Sequence, residues 1–359
     1  MKAIPLHGPR SLRHDGRLTI AVGRSRKETN WKPETLLWSA LLQRLATPRV
    51  TGESLAEYSA MTKAQRDDIK DVGGFVGGPV QGGRRRATAV ESRQLVTLDA
   101  DFAGPDLWEQ VQLLFPYAIA VYSTHSHTPE KPRLRLLVPT NRVMAADEYQ
   151  PVARMVAADL GIDLFDPTTF EVHRLMYWPS HSRDAEYVFG YIDGPWLDVD
   201  AVLGRYDDWR DVAQWPRPQR EVAEHHRALQ RAEDPHTKQG VVGAFCRTYT
   251  VEEAIETYLG DVYAPAGDGR YTYLAGSTVG GVIVYDDGKF VYSHHATDPA
   301  GGRACNAFDL VRIHRFGYLD EEAADGTPVA KLPSYTAMMD LAAEDRRVKV
   351  TLGREQLEA

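Results

Sequence analysis

Two aspartates stand one residue apart at the end of an apolar run, in the segment LVTLDADFAG. On a strand, Asp99 and Asp101 would point to one face about 6 to 7 Å apart, while Leu98 and Ala100 pack on the other face. Two carboxylates on one face of a buried strand require a counter-charge, because an unpaired buried carboxylate is costly. Mg²⁺ or Mn²⁺ would supply that charge and would take substrate phosphates as further ligands. The pair therefore predicts a metal site.

A third carboxylate would complete such a site. The segment DLFDPTTFEVHRLMYWPS offers two aspartates, Asp163 and Asp166, ahead of an apolar run that reads as a strand. Asp166 is the candidate if that strand lies beside the first one, and Asp163 is the alternative.

Groups of opposite charge follow the acidic pair along the chain. Ser123 and His125 stand at the end of the next predicted strand, in AIAVYSTHSH, and Arg133 and Arg135 alternate along the following one, in KPRLRLLVP. Arg174 adds a further guanidinium after the third carboxylate. Hydroxyl, imidazole and guanidinium groups placed in this way are expected to converge on a polyphosphate held by the metals.

The elements that position these residues alternate between strands and helices, which is typical of an α/β or α+β domain. A strand is predicted at RLTIAVGRS, an amphipathic helix at KPETLLWSALLQRL, irregular structure over residues 71–86, and a helix from about residue 145 to 160. Residues 1–205 are predicted to form the catalytic domain, residues 206–240 a linker, and residues 241–359 a smaller accessory domain.

Composition restricts the setting. A length of 359 residues suggests two domains. The net charge of −8 argues against a surface that binds nucleic acid everywhere, but basic runs at residues 23–27, 82–86 and 131–135 allow a local basic groove. No apolar run approaches the length that spans a bilayer and no leader is apparent, so no membrane partner and a cytoplasmic location are expected. No GxxxxGK[ST] motif occurs, so no Walker-type motor is expected.

The order LDAD, STH and FDPTTFEVHRLMYWPS resembles the three motifs of the archaeo-eukaryotic primase superfamily, in the prim-pol form found at the N-terminus of phage and plasmid replication proteins. The resemblance covers roughly residues 15 to 205. It implies an α+β prim-pol fold whose catalytic sheet resembles an RNA-recognition module. It also implies a DNA primase or DNA polymerase, a nucleotidyltransferase with a two-metal mechanism that uses NTPs or dNTPs.

The same resemblance implies roles for particular residues. Asp99, Asp101 and Asp166 would hold the metals, and Ser123 with His125 would contact the phosphates of the incoming nucleotide. The implied partners are a single-stranded DNA template and a primer. A helicase is also implied, either in a longer chain that continues this one or in trans.

The accessory domain has short predicted strands, paired glycines and a helix that starts near Ala307 with Asn306 as its cap. Its outline is similar to the zinc ribbon of bacterial-type primases, without the paired cysteines of such a site. Cys246, His294, His295 and Cys305 are the candidates for an irregular zinc site, and a metal-free accessory domain is favoured. Its similarity to the segment that follows prim-pol domains in phage helicase-primase proteins implies a role in template binding or initiation.

Two other functions stay open. The pair His125 and His127 resembles the His-x-His motif of rolling-circle nickases, which use one metal and a tyrosine nucleophile; there the residue between the histidines is normally bulky and apolar, whereas here it is serine. An inactive origin-binding module with a primase-like fold is the third reading, against which the intact acidic and Ser-x-His motifs argue.

Overall fold

The computed structural model describes residues 11–223, 227, 233–295, 297–324 and 326–358. The chain forms two units. The first comprises the residues up to Trp209 together with Trp215–Glu221, and the second comprises Arg210–Gln214 and the residues from Val222 onward. Residues 206–240, predicted to be a linker, are thus divided between the two units.

The first unit is built from strands, helices and short 3₁₀ turns. Its strands are β1 Arg17–Gly23, β2 Lys32–Leu37, β3 Arg49–Val50, β4 Gly74–Val76, β5 Ser92–Ala100, β6 Ile119–Ser123, β7 Leu134–Ala145, β8 Met176–Tyr177, β9 Ser180–His181 and β10 Phe189–Ile192. Its helices are α1 Trp38–Leu45, α2 Leu55–Ala60, α3 Lys63–Ile69, α4 Leu107–Leu114, α5 Ala146–Leu160 and α6 Val199–Leu203.

A four-stranded antiparallel sheet, called the central sheet here, has the order β10-β6-β7-β5. Its main elements follow one another as strand, helix, strand, strand, helix and strand, the chain order of a split β-α-β unit. β5 is buried along most of its length because apolar residues occupy both of its faces. The mixture of helices and antiparallel sheets confirms the predicted α+β class.

A second four-stranded sheet, the flanking sheet, has the order β2-β1-β4-β8. A hydrophobic core joins the two sheets, and α1 packs into it through Trp38. From the central sheet Tyr122 and Phe189 enter this core, and from the flanking sheet Ile20 and Phe75 do so. Each large side chain buried in this way contributes about 1.5–3 kcal/mol. This core fixes one face of the central sheet against the flanking sheet.

Two predicted elements differ from the structure. The segment KPETLLWSALLQRL is β2 followed by α1 rather than one helix, because residues 32–37 pair with β1 through six antiparallel positions. β2 is an edge strand, where Pro33 is tolerated since its missing N–H faces no partner strand. The strand predicted after Asp166 is reduced to β8, and it pairs with β4 in the flanking sheet rather than with β5.

The second unit has a five-stranded antiparallel sheet in the order β11-β12-β13-β14-β15. Its strands are β11 Tyr263–Gly267, β12 Arg270–Tyr273, β13 Val282–Tyr285, β14 Phe290–Ser293 and β15 Ala304–Cys305. Its helices are α7 Gly240–Thr248, α8 Val251–Tyr258, α9 Ala307–Phe316, α10 Pro333–Glu344 and α11 Arg346–Glu358. Asn306 caps α9 as predicted, since its side chain accepts the N–H of Asp309 at 2.9 Å.

Both cysteines of the second unit lie in its hydrophobic core. Burial raises the pKa of Cys246 to about 11 and that of Cys305 to about 12, which disfavours the thiolate form that zinc requires. Across the part of the chain that the structure describes, no three His, Cys, Asp or Glu side chains come together as they stand in a group that could hold a metal. The described helices also include none that is long and apolar enough to cross a bilayer.

Candidate active site

A row of paired residues crosses the central sheet at its polar end. Asp99 lies opposite Arg135 of β7, and Arg135 lies opposite Tyr122 of β6. Directly paired residues share a face, so these three side chains lie side by side, while Leu98 and Ala100 are fully buried on the other face. Because side chains alternate between the two faces along β5, the carboxylate of Asp99 lies on the same sheet face as the guanidinium of Arg135.

Asp101 lies just beyond the strand, because β5 ends at Ala100. Its N–H donates to the carbonyl of Asp99 at 3.2 Å, which turns the chain at this point. Arg133, which precedes β7, places Nη1 3.0 Å from Oδ1 of Asp101. Asp99 thus lies in β5 and Asp101 lies after its end, where a turn of the backbone rather than strand pairing fixes its position.

Asp166 reaches the first aspartate through the backbone. Its N–H donates to the carbonyl of Asp99 at 2.9 Å, although the two residues are far apart in sequence. Asp166 also caps a 3₁₀ turn at Pro167–Phe170, where its Oδ1 accepts the N–H and the hydroxyl of Thr168 at 2.8 and 2.6 Å. The alternative, Asp163, instead accepts the N–H of Gln219 at 2.8 Å. The structure therefore brings Asp166 beside Asp99.

Thr169, which sequence reasoning missed, fastens this turn to β5. Its buried hydroxyl donates to the carbonyl of Thr97 at 3.0 Å and accepts the N–H of Asp99 at 2.9 Å. In the sequence, the two threonines after Asp166 are the only sign of this hydrogen bond, and they do not show that its partner is β5. The hydroxyl fixes the third motif against the first.

Arginines lie among the carboxylates. Arg135 Nε is 3.6 Å from Asp99, and Arg174 Nη2 is 3.8 Å from Asp99 and 3.6 Å from Asp166. Burial opposes the charge of Arg135, but Asp99, Tyr122 and Asp101 together outweigh it and hold the pKa of Arg135 above its ordinary value. Arg174 lies in the turn before β8, whereas the sequence placed it on a strand. The site is a mixed cluster of acids and guanidinium groups.

The electrostatics of this cluster fit a divalent cation. Burial, the charge of Asp99 and the charge of Asp166 raise the pKa of Asp101 against the opposing effect of Arg133. Asp99 Oδ1 is buried and has no hydrogen-bond partner among the described residues. A hard cation with oxygen ligands would satisfy this atom and relieve the repulsion between carboxylates.

The structure does not bring Ser123 to the carboxylates. Ser123 pairs with Leu134, one position along from the row that contains Asp99, so its side chain belongs to the opposite face of the sheet. Its hydroxyl accepts the N–H of Val188 at 3.0 Å and is buried. Ser123 thus joins β6 to the chain that enters β10.

His125 is enclosed by polar partners that the sequence did not predict. Its Nδ1 lies 2.9 Å from the hydroxyl of Ser180, and its Nε2 lies 2.9 Å from Glu53 Oε1. Tyr58 packs on the imidazole with ring centroids 4.4 Å apart, and Ser182 donates to the same Glu53 oxygen at 3.0 Å. Burial lowers the pKa of His125, against the opposing effect of the hydrogen bond that Glu53 accepts from the imidazole. No local motif marks Glu53, because it meets His125 only in the folded chain.

The second histidine of the segment, His127, is also used internally. It is buried, and its Nδ1 accepts the N–H of Arg133 at 3.2 Å. Both histidines therefore hold the segment between Ser123 and Arg133 in place, and the end of this segment positions Arg133 beside Asp101.

The model of the VapE N-terminal domain family matches residues 7–218. Among solved structures, the AEP domain of the cyanophage S-2L primase-polymerase is 16% identical to the chain, covers 52% of it and is itself covered over 87% of its length, with a TM-score of 0.28. No curated protein matches.

Proposed function

Because the chain belongs to the VapE N-terminal domain family, we propose that it carries out template-dependent nucleotidyl transfer as a DNA primase or DNA polymerase of phage or plasmid replication. The family match spans more than half of the chain and confirms the resemblance to a prim-pol domain of replication proteins.

The observation that carries this proposal is that the backbone ties three acidic residues together around β5, although their carboxylates, as they stand in the described residues, are not gathered into a group that could hold a metal. Asp99, Asp101 and Asp166 are linked by two backbone hydrogen bonds that both end on the carbonyl of Asp99. Mg²⁺ or Mn²⁺ held by these carboxylates would lower the pKa of the attacking hydroxyl and offset charge on the leaving pyrophosphate.

The arginines of the cluster would bind the triphosphate of an NTP or dNTP. Arg133 and Arg174 are partly exposed and lie within 4 Å of the carboxylates, so each can exchange an acidic partner for a phosphate oxygen. Arg135 is buried and also donates to the carbonyl of Tyr177 at 3.3 Å, so it would remain in place and orient Asp99.

Ser123 and His125 would position the backbone around the nucleotide site. The hydroxyl of Ser123 fixes the end of β6, and His125 holds the following segment to Glu53 and Ser180. A direct contact of either side chain with nucleotide phosphate, as the family motif implies, would require an exchange of these partners.

A single-stranded DNA template and a primer are the proposed partners, together with a helicase in a longer chain or in trans. Replication of this kind would place the protein in the cytoplasm. The second unit would assist template binding or initiation.

The test is incorporation of labelled NTPs or dNTPs on a single-stranded template with Mg²⁺ or Mn²⁺, with and without primer. We expect metal-dependent pyrophosphate release and loss of incorporation in Asp99→Asn, whereas the exposed Asp207→Asn serves as the matched control and keeps activity. A covalent protein–DNA adduct that depends on one tyrosine, with no pyrophosphate, would instead establish a nickase. Template binding with neither product would establish an inactive binding module.

A further inference from the structure

A cleft of about 570 Å³ lies in the first unit beside the loop that joins β1 and β2. Its lining includes Arg24 of that loop, Lys32 of β2, Arg44 of α1 and the ring of Trp178. This volume is in the range that accommodates a small ligand or one unit of a polymer. The cleft contains none of the carboxylates of the candidate active site.

The cations of this cleft are available to a ligand. Arg24 and Lys32 are exposed, and neither has an ion-pair or hydrogen-bond partner for its side chain within the described part of the chain. The one acid in the lining, Glu28, is turned to its own loop, where Oε1 accepts the N–H groups of Thr29 and Asn30 at 3.0 and 3.1 Å. The cleft therefore keeps an excess of positive charge.

An aromatic ring forms part of the same lining. The guanidinium of Arg44 lies 3.5 Å from the centroid of the Trp178 ring, while Arg44 Nη1 is 3.2 Å from Glu34 at the exposed surface. A guanidinium held over an indole presents a flat charged surface on which a base or a phosphate can lie.

Further basic residues continue away from the cleft. The N–H of Trp31 donates to the carbonyl of Gly83 at 2.7 Å, so the run GGRRR at residues 82–86 lies against the β1–β2 loop. Arg85 is within 5.7 Å of the Trp31 ring and donates to the carbonyl of His173 at 3.2 Å, next to Arg174. Two basic runs that are separate in sequence are thus brought close together by the Trp31 contacts.

The cleft and the carboxylate cluster flank the same short strand. Trp178 lines the cleft, and its neighbour Tyr177 presents a carbonyl that accepts Arg135 Nη1 at 3.3 Å and the hydroxyl of Tyr122 at 2.9 Å. Adjacent Cα atoms are about 3.8 Å apart. A ligand in the cleft would lie close to the proposed metal site without occupying it.

We propose that this cleft binds the phosphodiester backbone of a single-stranded nucleic acid, which, on the basis of the proposed function, is the template strand. Cations lie on the β1–β2 loop, on β2, on α1 and on the 82–86 run. This distribution favours binding of a polymer that carries a charge on every unit. A free nucleoside triphosphate shares the phosphate chemistry, but it is normally bound with Mg²⁺ held by carboxylates, whereas Glu28, the one acid among the lining residues, has its Oε1 hydrogen-bonded to its own loop.

The test measures binding rather than activity. Arg24→Gln with Lys32→Gln is compared with Arg17→Gln with Arg49→Gln, a matched pair of exposed arginines of the same unit that do not line the cleft. Binding of a labelled 16-nucleotide oligothymidylate is titrated by fluorescence anisotropy over a series of salt concentrations, and binding of ATP with Mg²⁺ is titrated separately. Thermal melting of both double variants checks folding.

Each phosphate contact with a single strand contributes about 0.7 to the slope of log K against log salt, so the cleft variant should lose about 1.4 from the slope. This corresponds to a roughly 25-fold weaker affinity near 0.1 M salt. The control pair should bind within about twofold of the wild type, and ATP binding should be unchanged in both.

Three results would overturn the inference: equal oligonucleotide affinity in the cleft variant and the wild type, equal weakening in the control pair, or a loss confined to ATP. The outcome is separable from the proposed function. A protein that incorporates nucleotides while its cleft variant binds the strand normally contradicts the inference alone. A protein that binds the strand through the cleft without incorporating nucleotides contradicts the proposed reaction alone.

Discussion

At the scale of single residues, the three acidic positions have different surroundings. Asp99 is almost fully buried and lies between Arg135 and Arg174, whereas Asp101 is partly exposed and pairs with Arg133. Removing charge at these two positions should therefore have the same effect on catalysis and different effects on stability.

Asp99→Asn and Asp101→Asn are both expected to reduce incorporation by more than about a hundredfold, because each removes a proposed metal ligand. Asp99→Asn should also lower the free energy of unfolding by about 3 kcal/mol, since it leaves the buried Arg135 without its counter-charge. Asp101→Asn should change stability by less than about 1 kcal/mol, because its carboxylate is repelled by Asp99 and Asp166. Urea denaturation measures both, and equal destabilisation would contradict this account.

The lowered pKa of His173 predicts how the free energy of unfolding depends on pH. Burial, together with the charges of Arg85, Arg174 and Arg93, lowers the pKa of His173 to about 4, whereas an unfolded histidine titrates near 6.5. The unfolded chain therefore binds more protons between these values, and stability is lost as the pH falls from about 6.5 to about 4. His125 and His127 act in the same direction, since burial lowers the pKa of each.

Replacing His173 with glutamine removes one of these groups. We expect the dependence of the unfolding free energy on pH to become shallower between about pH 5 and 6.5, by up to about 1.4 kcal/mol per pH unit. Chemical denaturation at a series of pH values measures this slope. An unchanged slope would show that His173 is accessible to protons in the folded chain.

At the scale of elements, the 3₁₀ turn that follows Asp166 positions the third motif. This turn is tied to β5 by Thr169 and to Asp99 by the backbone of Asp166. β8, by contrast, belongs to the flanking sheet, and its Tyr177 faces Arg135 with its carbonyl and its ring. The geometry of the carboxylates therefore depends on the turn more than on the strand after it.

Thr169→Val keeps the volume of this buried side chain and removes its hydroxyl. It leaves the N–H of Asp99 without its partner, so we expect a loss of about 1–3 kcal/mol in stability and at least about a tenfold loss in incorporation. Thr169→Ser keeps both hydrogen bonds and should retain activity within a few fold. Equal activity of the valine and serine variants would mean that the hydroxyl does not position the site.

At the scale of the whole molecule, the first unit extends past the predicted boundary at residue 205. Trp215 is buried, and Glu221 accepts hydrogen bonds from Nη1 and Nη2 of the buried Arg154 at 2.9 and 3.0 Å. Residues 215–221 thus complete the first unit after the chain has contributed residues 210–214 to the second.

A chain that ends at Glu221 should therefore be more stable than one that ends at Trp209. The shorter chain leaves Arg154 buried and unpaired, which costs about 3–5 kcal/mol. Thermal and urea melts of the two chains test this, with a chain ending at Ala223 as the control for the position of the new terminus. Equal stability of all three would show that residues 215–221 add nothing to the first unit.

The chain that ends at Glu221 also separates elongation from initiation. Extension of a supplied primer needs only the proposed metal site and a paired 3'-end, whereas initiation must hold two free nucleotides without a duplex. We expect primer extension to persist and primer-independent synthesis to fall at least about tenfold. If the shortened chain initiates as well as the full chain, the second unit has a different task.

The sequence by itself determined the local elements and the chemistry of the first motif. The apolar run that ends in Asp99 and Asp101, the helix over residues 146–160 and the cap at Asn306 all follow from periodicity and capping, which act between near neighbours. The family resemblance rested on the same short segments.

Only the tertiary structure decided which distant residues meet. It favoured Asp166 over Asp163 through a backbone bond to Asp99, joined Glu53 to His125, and made residues 32–37 an edge strand in spite of their helical spacing. Such choices depend on the sum of strand pairing and burial over the whole unit. The energy of strand pairing and burial outweighs the helix or strand propensity of a short segment, which amounts to a few tenths of a kcal/mol per residue.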